Sequence, residues 1–180
     1  VTDTYVIQDS LHFSEADHYR RDVMTKFWLS FSNRKEIYDQ IRYIDTNGNE
    51  LVRVDYENSK AVLTPSSQLQ NKKNRRYFQE TIQLKPDQLF ISKLDLNVDN
   101  NVVEQPINPV LRLSAPVFSA AGQVEGIVVM NYLADHMLQQ LRSVAHSERR
   151  DIFLLNTDGY YLLNSIHPEK EWAFMYPERS

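Results

Sequence analysis

At 180 residues, with 42% hydrophobic and 24% charged residues, the chain has the make-up of an ordinary globular protein able to bury one sizeable core. A formal net charge of −4 gives no reason to expect nucleic acid or an anionic membrane surface as partner; Lys72, Lys73, Arg75 and Arg76 are a local exception. There is no cysteine, which excludes a disulfide framework, thiolate metal sites and cysteine nucleophiles.

Residues 4–32 contain neither Gly nor Pro, and Tyr19, Val23, Phe27 and Phe31 recur at helical spacing. They predict a long amphipathic helix with Glu15, Asp17, Arg20, Arg21, Asp22 and Lys26 on its polar face. Two roles are open to it: packing on its own sheet, or continuing a membrane-spanning segment upstream. Strands are predicted at 36–45 and 50–57; in the second, Leu51, Val52, Val54 and Tyr56 mix with Arg53 and Asp55 in near-alternation. Residues 61–74 are polar and turn-rich, 75–84 read as a short helix, and 89–94 as a strand. The Asn-, Asp- and Pro-rich stretch 95–109 reads as an irregular loop. Residues 110–118 and 124–132 form a strand pair across Ser119-Ala120-Ala121-Gly122. Residues 133–147 are helical, with Leu133, Met137, Leu138, Leu141 and Val144 on one stripe. Five mostly antiparallel strands with flanking helices give an α+β, PAS-like fold. No apolar run approaches the roughly 18–20 residues that span a bilayer. Any membrane segments are expected in flanks of a longer parent chain.

One phrase occurs twice. Tyr43-Ile44-Asp45-Thr46-Asn47-Gly48-Asn49-Glu50-Leu51 and Leu154-Leu155-Asn156-Thr157-Asp158-Gly159-Tyr160-Tyr161-Leu162 each read as strand, Asx-Thr-Asx-Gly turn, strand. The repeat predicts two copies of one α/β module, the second only begun. The expected division is a long N-terminal helix (1–35), a PAS-like module (36–132), a connecting helix (133–149) and an incomplete second module (150–180).

Several separate segments carry a family resemblance. Tyr38-Asp39-Gln40-Ile41-Arg42-Tyr43-Ile44-Asp45, Glu50-Leu51-Val52-Arg53-Val54-Asp55-Tyr56, Arg76-Tyr77-Phe78, Ile91-Ser92-Lys93-Leu94-Asp95-Leu96-Asn97, 109–118 and 126–132 follow one another in the order found in double Cache domains. The chain resembles the membrane-distal half of such a tandem PAS-like (PDC) sensor, with 152–175 resembling the start of the membrane-proximal half. The resemblance implies a periplasmic sensor between two transmembrane helices of a bacterial receptor. The output would be a histidine kinase, a diguanylate cyclase of the GGDEF type or a chemoreceptor rod. The distal module would bind a small ligand and the proximal one relay. It further implies a homodimer through the N-terminal helix, no cofactor, and no enzymatic activity in this portion.

In relatives that bind amino acids, an Arg, a Trp and a Tyr on the short helix and two strand acids form the pocket. By position, Arg75 falls on the arginine, Tyr77 on the tryptophan, Phe78 on the tyrosine, Asp95 on one acid and Asn131 on the other. An Arg clamps a carboxylate through a fork of donors. Asn131 lacks the charge that pairs with an ammonium, and Phe78 lacks the hydroxyl; this departure speaks against an ordinary amino acid and for a small polar metabolite, carboxylate-bearing by preference. The alternative for the same residues is two core rings and a surface cation.

Arg42, Arg53 and Arg112, with Asp45 and Asp55, lie on predicted strands, where cross-strand ion pairing is the plain expectation. Arg112 is the best pocket candidate of the three, because its strand should run beside the one carrying Asn131. Asp95, Asn97, Asp99 and Glu104 loosely resemble a calcium loop, but Asn100 stands where Gly is needed, and an Asx-rich loop bonding itself is favoured. His12, His18, His136, His146 and His167 show no metal spacing, and there is no nucleophile elbow, P-loop or dinucleotide fingerprint. Three readings follow in order: a ligand sensor, an empty PAS-like module that mediates dimerisation or protein interaction, and, weakest, an enzyme. A cytoplasmic PAS domain with haem or flavin would need an axial ligand or a reactive Cys.

Overall fold

The computed structural model describes residues 18–99 and 102–176. The first element is helix α1 (His18–Lys35), and the rest of the expected helix lies outside the described residues. Its buried face is Met24, Trp28 and Phe31, whereas Val23 and Phe27 are 48% and 39% exposed. The apolar stripe expected through Val23 and Phe27 is therefore about one residue, or 100°, out of phase. Trp28 presents the largest apolar surface on the helix and takes the centre of the interface, with Met24 and Phe31 one turn to either side. The helix stops at Glu36, which takes a φ of 56° and donates its N–H to the Ser32 carbonyl.

The chain continues through β1 (Tyr38–Asp45), β2 (Glu50–Glu57), β3 (Lys60–Leu63), the short helix α2 (Arg76–Thr81) and β4 (Phe90–Ile91). Three two-residue strands follow: β5 (Asp95–Leu96), β6 (Val98–Asp99) and β7 (Val102–Val103). Then come β8 (Pro109–Phe118), β9 (Val124–Leu133), helix α3 (Asp135–Glu148), β10 (Phe153–Leu155) and β11 (Tyr161–Asn164). The mixed α+β class and its mostly antiparallel sheet are those expected. The sheet is broader than five strands, because β3 and β5 form inside stretches expected to be loop. Its order is β3-β2-β1-β9-β8-β4, with β5 paired to β8.

Strand β1 is buried at all eight positions because both faces of the sheet are covered. Ile41 and Tyr43 join Val52, Val54, Val128 and Met130 under Met24, Trp28 and Phe31 of α1. Ile44, Ile127 and Val129 point the other way, against Tyr77 and Phe78 of α2. Period-two alternation then places Gln40 and Arg42 on the α2 face. Two register shifts adjust this pattern. An extra residue between Tyr38 and Gln40 lets Tyr38 stack on Phe31 at 5.4 Å. A second shift pairs Ile44 with Glu50 while Tyr43 pairs with Val52. Leu51 is the extra residue and packs on the α1 core, while Glu50 turns to the α2 face.

The chain folds as two compact units, residues 1–92 with 112–132 and residues 93–111 with 133–180. Segment 93–111, expected inside the first module, thus groups with the C-terminal residues. The reason is apolar: Leu94, Leu96 and Val103 pack with Leu138, Leu141, Leu162, Leu163 and Trp172. On α3, Leu138 is buried and Leu141 partly so, while Met137 and Val144 of the expected stripe are exposed. The Asx-rich stretch bonds itself, Glu104 Oε2 accepting from Asn97 Nδ2 at 3.0 Å and from Asn108 Nδ2 at 3.1 Å. Among the described residues no cluster of His, Asp or Glu could hold a metal ion.

The repeated phrase folds into the same turn twice. Asp45 Oδ1 accepts the N–H groups of Asn47 and Asn49 at 2.9 and 2.8 Å, and Asn156 Oδ1 accepts those of Asp158 and Tyr160 at 3.0 and 2.9 Å. Gly48 and Gly159 close the turns at φ of 87° and 85°. Their surroundings differ: a Cβ on Gly48 would lie 2.6 Å from the backbone of Lys73, whereas one on Gly159 would meet nothing. Gly159→Ala should cost about 1 kcal/mol for its left-handed backbone, and Gly48→Ala at least about twice that. Equal shifts in urea midpoint for the two variants would show that Lys73 yields freely.

Candidate functional site

On the α2 face of the first unit the sheet turns from apolar to charged. Arg42 projects from β1 between Arg53 on β2 and Val129 on β9, its register partners, and is 4% exposed. Its Nη2 donates to Asn131 Oδ1 at 2.7 Å and its Nη1 to Tyr77 Oη at 3.4 Å. Asn131, fully buried on β9, passes the chain on by donating its Nδ2 to Gln40 Oε1 at 3.2 Å. Arg112 of β8, also buried, brings its guanidinium carbon to 5.9 Å from the centre of the Tyr77 ring; that of Arg42 lies at 5.6 Å. Two buried guanidiniums thus lie against one ring, held by its π face. Helix α2 is fixed there by Phe78 in the apolar cluster and by a 2.6 Å hydroxyl contact between Thr81 and Ser114 of β8.

A third cation and one carboxylate complete the cluster. Glu50, re-aimed by the bulge at Leu51, has a fully buried side chain. Its Oε2 accepts the Gln70 N–H at 2.9 Å. Its Oε1 lies 3.6 Å from Arg42 Nη1 and 3.9 Å from Lys72 Nζ, within ion-pair range but outside hydrogen-bonding distance. Lys72 is itself buried and donates to Gln70 Oε1 at 2.6 Å. Both Glu50 Oε1 and Arg42 Nε have no hydrogen-bond partner among the described residues. Arg42 thus presents an unused guanidinium donor beside two further buried cations, Arg112 and Lys72. A buried, unused guanidinium donor suits an anion, best a planar carboxylate.

The structure brings together Tyr77, Arg112 and Asn131 of the residues singled out from the sequence. Phe78 is buried among Ile44, Ile127 and Val129, a wall of the site. Arg75 is half-buried and occupies the N-cap position of α2. Asp95 lies on β5, opposite Val110, in the second unit. Arg53 pairs with Asp55 at 2.7 Å along its own strand and not across strands as expected, and Asp45 caps its turn. Arg42 lies within ion-pair range of Glu50 across strands, the plain expectation for it, and also bonds Asn131 and Tyr77. Sequence reasoning missed Gln40, Glu50 and Lys72. Alternation from Ile44 back through Arg42 to Gln40 could have found the first; Glu50 is hidden by the bulge, and Lys72 by its place in a polar run.

Residues 4–180 match the family described as the sensor domain of bacterial histidine kinases. Among curated proteins none matches. Of solved structures, the extracellular domain vpHK1S-Z8, assigned to a histidine kinase, is 26% identical with a TM-score of 0.77 over 92% of this chain. A domain from Vibrio parahaemolyticus, assigned to the sensory box/GGDEF family, is 25% identical with a TM-score of 0.72 over 91%. The chain spans 58% and 65% of those two chains. The ligand-binding domain of the Pseudomonas aeruginosa amino acid chemoreceptor PctC, solved with GABA, shares the fold at 15% identity, with a TM-score of 0.61 over 98% of this chain and 72% of its own. Among the described residues no helix is long and apolar enough to cross a membrane. With the family match running through almost the whole sequence, this chain belongs to the bacterial histidine kinase sensor domain family.

Proposed function

We propose that the first unit of this extracellular sensor domain binds a small, polar, carboxylate-bearing metabolite, and that the parent receptor relays its presence to a kinase or diguanylate cyclase output in the cytoplasm. The parent is read as anchored in the inner membrane of a bacterium, with this portion on the periplasmic side and free of catalytic activity of its own. The observation that carries the ligand reading is the buried pair Arg42 and Arg112 against Tyr77, with Arg42 Nε unused. Asn131 orients the Arg42 fork. Arg75, at the head of α2, is kept as a second carboxylate contact; Phe78 and Asp95 are not used as direct contacts.

Titration calorimetry with small mono- and dicarboxylates tests this. At least one should bind the wild type, and Arg42→Gln should weaken it by about tenfold or more, the loss of one charge-assisted hydrogen bond. Arg75→Ala should weaken it too; unchanged affinity removes Arg75 from the site. No heat with any carboxylate would favour a domain that acts through protein contacts alone. For self-association, the exposed Val23 and Phe27, one turn apart on α1, support a homodimer through that helix.

A further inference from the structure

Where α3 ends, the second unit has a cleft of about 710 Å³, bounded by that helix and by the residues that lead into β10 and out of β11. Arg142, Arg149, Arg150 and Ser165 line it as donors, and Asp151 is the one carboxylate of its lining among the described residues. Arg149 caps the helix at a φ of 50°, a backbone conformation in which glycine is the ordinary occupant. Its N–H donates to the His146 carbonyl at 3.4 Å and that of Arg150 to the Ala145 carbonyl at 3.0 Å, so the main chain closes the helix by itself. An arginine side chain adds nothing to that turn and makes it costlier than glycine would. Neither Arg149 nor Arg150 has a side-chain hydrogen bond or ion pair among the described residues. Cations here also complement the helix dipole. That accounts for their charge, but not for a cleft between them or for arginine in a left-handed backbone.

The wall of the cleft is built more firmly. Arg142 Nη2 donates to Glu171 Oε2 at 2.6 Å, and Glu171, 4% exposed, is fixed by accepting the Asn164 N–H on its other oxygen at 2.8 Å. Ser165 Oγ accepts the Ile152 N–H at 2.9 Å, which leaves its own proton for a guest. We propose that this cleft is an anion site for the phosphate group of a phosphate monoester, independent of the carboxylate reading of the first unit. Arg149 and Arg150 take the phosphoryl oxygens with their unused guanidiniums, and Arg142 and Ser165 are the fixed donors behind them. A phosphate monoester brings more charge and more acceptor oxygens to such a set than a carboxylate does. Asp151 opposes the bound charge and limits the affinity. A soluble ester and a lipid headgroup carry the same chemistry, and the experiment separates them.

The test is calorimetry on the whole chain with inorganic phosphate and glycerol phosphate at fixed ionic strength, beside co-sedimentation with phosphatidylcholine vesicles with and without phosphatidate. Heat with a soluble probe supports a soluble ester; pelleting with phosphatidate vesicles alone assigns the lipid. Arg149→Gly is the decisive variant, because glycine suits the cap and the fold is kept. Its Tm should fall by no more than about 2 °C, while the affinity for whichever probe binds should drop about tenfold, the loss of one charge-assisted hydrogen bond. Arg150→Gln should give a similar loss. Asp151→Asn should tighten binding about threefold, a gain that a merely structural cap would not show. Affinity unmoved in both arginine variants overturns the site, as does the absence of binding by every probe. Binding that falls in Arg42→Gln and not in Arg149→Gly belongs to the first unit and overturns it too. Each of these failures leaves the carboxylate reading standing.

Discussion

Arg42→Ala is expected to lower the unfolding free energy by about 3 kcal/mol. Removing the guanidinium strips Asn131 Oδ1 of its 2.7 Å donor and leaves the Glu50 carboxylate, whose side chain is fully buried, with Lys72 as its nearest cation at 3.9 Å. An uncompensated charge in a low-dielectric site is what makes breaking a buried pair expensive, and the remaining lysine keeps the loss near the lower end of the usual range. The control is the double variant Arg42→Ala/Glu50→Ala. If the stranded carboxylate is the cause, the double variant should be more stable than the single, against the sense of simple addition. Urea denaturation of the three proteins measures it. A double variant less stable than Arg42→Ala would mean that Glu50 holds the fold through Gln70 and not through charge.

Trp28→Ala should have a larger effect still, about 4 kcal/mol, because it empties the centre of the α1 interface. The indole is 1% exposed and packs in the cluster that includes Met24, Phe31, Ile41, Tyr43, Val54 and Met130. For a chain of this size the loss corresponds to a fall in Tm of about 10 °C. The next residue gives the contrast. Phe27 is 39% exposed, so Phe27→Glu should leave Tm within about 2 °C. If α1 mediates self-association, Phe27→Glu should show its effect in sedimentation as a loss of dimer. A large drop in Tm from Phe27→Glu would place that ring inside the monomer core.

The two variants also mark where the sequence was readable. Long elements with clear periodicity, α1, β2, β8 and β9, stand close to where alternation and helical spacing put them. The phase of α1 was not readable, because Val23-Phe27-Phe31 and Met24-Trp28-Phe31 are both apolar stripes and only the sheet beneath decides between them. Short strands such as β3 and β5 were missed because their partners, not their own residues, make them strands. The site was legible in part. Tyr77, Arg112 and Asn131 follow from the family pattern and from neighbouring strands. Arg42 was visible as a strand cation, but its partners at 35 and 89 residues' separation are a property of the assembled fold. Glu50 could not be read at all, since one extra residue in a ladder reverses which side chains face the α2 side of the sheet.

Strand β1 carries the charged cluster on one face and the seat of α1 on the other. Gln40 and Arg42 face the cluster, while Ile41 and Tyr43, their immediate neighbours, look onto the helix. Sliding the strand by one residue would swap a guanidinium for an aliphatic side chain on each side at once. The only motions open to it are those that preserve its pairing, a bow or a tilt against β2 and β9. A shift of the backbone at Arg42 is therefore felt by Ile41 and Tyr43 where they pack with Trp28.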